Sequence, residues 1–87
     1  METAVKQDTI TVTFNGEDDV VKYHPHQKVE VVLKQALDHF EVQQNRHLMS
    51  LFTEAGAELT NEQLTLEEAN IKAGAVLILR PSAVKGG

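Results

Sequence analysis

Residues 9–14, Thr-Ile-Thr-Val-Thr-Phe, alternate polar and apolar without a fault. Ile10, Val12 and Phe14 fall on one side and three threonines on the other, so period and residue type together predict a half-buried strand. Asn15-Gly16 tolerates positive φ and marks a hairpin turn, with Glu17-Asp18-Asp19 expected to lengthen the loop. Val20-Val21-Lys22-Tyr23-His24 is the expected return strand, with Val21 and Tyr23 inward and Pro25 as its stop. From Val29 the period changes. Val29, Val32, Leu33, Ala36, Leu37 and Phe40 recur at helical spacing while Glu30, Lys34, Gln35 and Asp38 lie off that face. The β-branched start, Val29-Glu30-Val31-Val32, argues locally for a strand, but the length of the pattern favours a helix over about residues 28–41. Its N-terminal cap is poor: Gln27 or His26, with Glu30 reaching back.

The second half is more broken. His47-Leu48-Met49-Ser50-Leu51-Phe52-Thr53 predicts a third strand of open phase: Met49 and Leu51 inward would leave Phe52 outward, and the opposite phase would bury Phe52. Ala55-Gly56 turns the chain, and Leu59 and Leu64 are expected to plug the base of the core. Thr65 and Glu68 have the spacing of a reciprocal cap, which predicts a short helical turn. Asn70 and Gly74 are the residues to expect where φ is positive. The last strand, 75–80, puts Leu77 and Leu79 on one face and Val76 and Ile78 on the other. The predicted core is Ile10, Val12, Phe14, Val21, Tyr23, Val29, Val32, Leu33, Ala36, Leu37, Leu59, Leu77 and Leu79.

That final strand stops at Pro81 and continues as Ser82-Ala83-Val84-Lys85-Gly86-Gly87. The small side chains and the missing proline amide predict a mobile tail over 81–87, after a domain at 9–80 and a flexible arm at 1–8. Glycine has no Cβ, so a diglycine fits a channel too narrow for other residues, and a carboxylate on Gly87 is suited to activation and transfer. Composition narrows the chemistry further. Eighty-seven residues make one small domain with a single core and little room for a deep catalytic cleft. A formal charge of −5 disfavours a nucleic-acid partner. With no cysteine, any thioester has its sulfur on a partner. No segment has the length and apolarity to cross a membrane and no apolar signal core follows Met1, so a cytoplasmic monomer is expected.

Hairpin, helix, strand, short turn and final strand, in that order, make an α+β chain that resembles ubiquitin over about residues 9–87. Thr65-Leu66-Glu67-Glu68-Ala69-Asn70-Ile71 is similar to ubiquitin's threonine-leucine-serine-aspartate-tyrosine-asparagine-isoleucine segment. Ala55-Gly56 before Leu59 is similar to its alanine-glycine turn, and Leu77-Ile78-Leu79-Arg80 with Gly86-Gly87 completes the resemblance. The resemblance implies a β-grasp fold: a mixed four- to five-stranded sheet packed on one helix, with the first and last strands parallel and central. The divergence suggests a bacterial ubiquitin-like modifier. Extra residues before Ala55, Pro81 in a tail one residue longer, and Lys85 as the only basic residue after Arg80 depart from ubiquitin. Ala57 stands where ubiquitin carries its best-known chain-building lysine; Lys6, Lys22, Lys28, Lys34, Lys72 and Lys85 remain as acceptors.

The resemblance implies a non-enzymatic modifier without a cofactor of its own. ATP is used by an activating enzyme that adenylates Gly87. The other expected partners are a conjugating enzyme, a deconjugating peptidase and a protein target with an acceptor amine. Gly86 and Gly87 carry the conjugation chemistry, and Arg80 and Lys85 are candidates for tail recognition. Ile78, joined by Phe52 or Leu51 according to strand phase, is a candidate interaction patch. A sulfur carrier with a C-terminal thiocarboxylate and a non-conjugated binding domain are the alternatives. His24 and His26 lack a third donor at ligand spacing, and the acids at Glu17-Asp18-Asp19 and Glu67-Glu68 read as ordinary turn and cap residues.

Overall fold

The computed structural model describes residues 8–85. Residues 1–7 of the expected arm at 1–8 and the terminal Gly86 and Gly87 lie outside that range. The described residues form four strands and one α-helix: β1 (Thr9–Phe14), β2 (Glu17–Lys22), α1 (Val29–His39), β3 (Met49–Thr53) and β4 (Val76–Pro81). A single 3-10 turn, Arg46–Leu48, leads into β3.

The β1–β2 connection is tighter than the sequence reading expects. Asn15 and Gly16 both take positive φ, at 52° and 82°, and Phe14 pairs directly with Glu17. This is the two-residue turn whose twist matches the flanking strands. Glu17, Asp18 and Asp19 therefore belong to β2 and do not lengthen a loop.

The sheet order is β2-β1-β4-β3. β1 and β4 are parallel and central, with Val12 opposite Leu77, and β3 runs antiparallel to β4. The fold is thus the α+β β-grasp, with four strands on one helix. Inward residues of β1, β3 and β4 meet the helix face in one cluster: Ile10, Val12, Met49, Leu51, Leu77 and Leu79 against Val29, Val32, Leu33, Ala36 and Leu37. Leu66 and Ile71, absent from the expected core, are also buried in it. Leu59 packs from the side, partly buried, while Leu64 is not among the clustered residues.

The helix start explains the weak cap. Lys28 is the N-cap and its side chain makes no capping hydrogen bond. Instead the amides of Val29 and Glu30 donate to the carbonyls of Leu64 and Glu62, at 2.9 and 3.0 Å. A distant loop thus satisfies two of the donors that every helix N-terminus leaves open. The Thr65 cap is reciprocal as expected: Thr65 N–H donates to Glu68 Oε1 and Glu68 N–H to Thr65 Oγ1. Asn70 and Gly74 both take positive φ.

Candidate functional site: the C-terminal segment and the outer sheet face

β4 carries the chain towards its diglycine. Leu77 and Leu79 are buried on the helix side, so the predicted phase of this strand holds. Its other side presents Val76 and Ile78, and register places Ile78 opposite Phe52. This settles the open phase of β3. Leu51 is fully buried in the core, so Phe52 is the outward neighbour of Ile78 and Leu51 has no place in an exposed patch. Phe52 is itself only 7% exposed, with the Arg80 guanidinium over its ring at 5.3 Å from the centroid and Glu58 bridged to its backbone. Such stacking covers an aromatic face while the charge stays in water. Farther along the same face, Val20 of β2 stands beside Thr11 and is 61% exposed.

Beyond Pro81 the chain folds back. The Ser82 amide donates to the Leu48 carbonyl at 2.7 Å, which carries the β3–β4 pairing one step past the proline. The Ser82 hydroxyl donates to Glu58 Oε2, and the Ala83 amide donates to Glu58 Oε1 at 2.9 Å. One carboxylate therefore grips two successive residues. The amides of Val84 and Lys85 in turn donate to Ser82 Oγ at 3.0 and 2.9 Å, closing a compact turn. Lys85 Nζ donates to the Met49 carbonyl at 2.7 Å and forms an ion pair with Glu62. Within the expected mobile tail at 81–87, the described residues Ser82, Ala83 and Lys85 thus have polar partners on the domain.

The electrostatics follow. The Ser82 hydroxyl above all, and then the Ala83 amide, hold the Glu58 carboxyl below the usual glutamate range. Partial desolvation works against them, while the Ser50 hydroxyl and the Lys85 ammonium add to the lowering. Hydrogen bonds to a carboxylate favour its charged form. Ser50 is fully buried, and its hydroxyl, although it favours the same anion, does not reach the geometry of a formed hydrogen bond.

The sequence candidates therefore separate. Arg80 stacks on Phe52, Lys85 is tied to Met49 and Glu62, Ile78 sits on the outer face, and Gly86 and Gly87 lie just past the last described residue. Sequence reasoning missed Glu58, Glu62 and Ser82. No motif marks them; their roles arise only when the 57–62 segment runs alongside β3, where the Leu59 amide donates to the Leu51 carbonyl. Glu68 is engaged in its cap, and His24 and His26 are exposed. Among the described residues no group of three or more histidine or acidic side chains is placed to hold a metal ion, and no helix is long and apolar enough to cross a membrane.

No protein-family model matches the chain, and no curated protein matches it in sequence. Solved structures do match. A de novo designed protein based on ubiquitin superposes with a TM-score of 0.72 at 24% identity, over 91% of this chain and 93% of that one. The ubiquitin-like domain of an Arabidopsis thaliana protein superposes with a TM-score of 0.68 at 19% identity, over 97% of this chain and 86% of its own. The chain shares the ubiquitin-like fold with both.

Proposed function

We propose that this chain is a protein modifier that acts through its diglycine. The Gly87 carboxylate, free as such or freed by a peptidase, attacks the α-phosphorus of ATP held by an activating enzyme and expels pyrophosphate. A partner thiolate then displaces AMP to form a thioester, and a target amine displaces the thiol to form an amide. A deconjugating peptidase hydrolyses that amide. This chain supplies the carboxylate, a side-chain-free approach at Gly86-Gly87, and a rigid body for its partners to grip. It uses no cofactor of its own, and the reactions belong to a cytoplasmic setting.

The observation that supports this reading most is the placement of β4. It is a central strand, parallel to β1 and anchored by Leu77 and Leu79, that leaves the sheet at Pro81 six residues before Gly87. The domain is thus built around the strand that carries the diglycine. The test is ATP–pyrophosphate exchange with the cognate activating enzyme, comparing the full chain with a chain lacking Gly87. Exchange with the first and none with the second is expected. Equal exchange from the shortened chain would show that the diglycine is incidental.

A further inference from the structure

The C-terminal segment is held more closely than its composition suggests, and by a defined set of groups. Ser82, Ala83 and Lys85 each bond a residue outside the segment, and two of the recipients, Glu58 and Glu62, belong to one loop. The same loop pairs with the outer edge of β3 through Ala57 and Leu59 and supports the start of α1 through the Glu62 carbonyl. It is therefore a fixed platform. The segment on it is small: Ala83 and Val84 are exposed, and Val84 has 66% of its surface in water. Apolar burial does not hold this turn. Hydrogen bonds to two carboxylates do.

We propose that Glu58 and Glu62 form a latch that docks residues 82–85 against β3 and that a partner must open before it can use the diglycine. Glu58 clamps Ser82 and Ala83, and Glu62 with the Met49 carbonyl clamps Lys85. Gly86 follows directly on Lys85, so the latch fixes where the diglycine leaves the domain. Entry of an extended tail into a narrow channel requires the 82–85 turn to unwind. A binding-competent form populated only in part weakens apparent affinity by its fraction. Opening the latch thus lowers the KM for this chain in activation and leaves kcat in place. Glu58 and Glu62 are positioning residues on this view, and that last consequence rests on the modifier reading.

The latch itself is tested without any partner enzyme. Lys85 is a trypsin site, and cleavage after it releases Gly86-Gly87. A protease needs an extended substrate with a free lysine side chain, whereas the docked Lys85 is engaged at both Met49 and Glu62. Limited trypsin digestion of the 87-residue chain, followed by intact mass, reads the loss of the dipeptide. Glu58→Ala is expected to speed that loss by roughly tenfold, as the undocked form becomes the populated one. Glu58→Gln keeps one acceptor oxygen and should fall between the wild type and Glu58→Ala. Ser82→Ala leaves the backbone bond to Leu48 in place and removes both the donor to Glu58 and the acceptor for Val84 and Lys85, so it should match Glu58→Ala. All three should melt as the wild type does. Equal cleavage rates in all four chains would overturn the latch, and so would faster cleavage that merely tracks a lower melting temperature. A latch that passes while pyrophosphate exchange fails removes the modifier reading alone. The converse result removes the latch alone.

Discussion

β4 and the segment that follows it are continuous in sequence and opposite in physics. From Val76 to Arg80 the chain is held by apolar burial and two strand partners, with Leu77 and Leu79 almost without solvent contact. From Ser82 to Lys85 it is held by polar groups that remain partly in water. Burial of a large apolar side chain contributes about 1.5–3 kcal/mol and depends little on pH. A partly exposed ion pair contributes about 0–1 kcal/mol and fades with salt. The first attachment cannot be undone without unfolding the domain, and the second can. A protein that delivers its C-terminal residues to another active site needs both kinds, divided where Pro81 divides them.

The largest effect belongs to the strand. Leu77→Ala is expected to lower stability by about 2–5 kcal/mol in chemical denaturation, as a buried large-to-small change. A loss close to zero would mean that β4 is not the anchor. The next is the reciprocal cap. Thr65→Ala removes the acceptor for the Glu68 amide and should cost about 1 kcal/mol by the same measurement. On the outer face, Ile78→Asp should leave the melting curve close to that of the wild type and weaken binding to a conjugating or peptidase partner. Normal binding with a normal melting curve would leave the C-terminal segment as the main contact.

Strand, helix and turn placement was largely legible in the sequence, because strict alternation at 9–14 and helical spacing at 29–40 each allow one buried face. The reciprocal cap at Thr65 and Glu68 and the positive φ at Asn70 and Gly74 were legible for the same local reason. The helix cap was not, since it is made by Leu64 and Glu62 from the far side of the chain. The loop reading of Glu17-Asp18-Asp19 failed because three acids disfavour a strand, and the Asn15-Gly16 turn overrides that preference by fixing the register. The phase of β3 was open because both its faces are covered: Leu51 by the core and Phe52 by Arg80. Glu58 was invisible because a lone acid in a polar stretch carries no signal until Ser82 is brought to it.

A smaller effect is electrostatic. Glu58 carries a lowered pKa in the docked form, so docking is fully stabilised above the usual glutamate pKa and is lost as pH falls through the depressed value. The Lys85 ammonium faces the same carboxylate and adds to the lowering, while its ion pair is made with Glu62. The amide resonance of Ala83, followed by NMR from neutral to acidic pH, should move towards an undocked position with a midpoint below the usual glutamate range. A midpoint at the usual value would mean that Ser82 and Ala83 do not hold the carboxylate.

The smallest stability effect and the largest functional one should coincide at the end of the chain. Gly87→Ala is expected to change stability by less than about 0.5 kcal/mol, the range of surface substitutions, while sharply reducing transfer. The most direct measurement is the mass of the protein recovered from its native host. The account predicts a fraction joined through Gly87 to a second protein. Trypsin, cutting after Lys85, should then leave Gly86-Gly87 on the acceptor lysine of the target. A host pool made up only of the free chain, or one in which a carboxylate oxygen is replaced by sulfur, would contradict it.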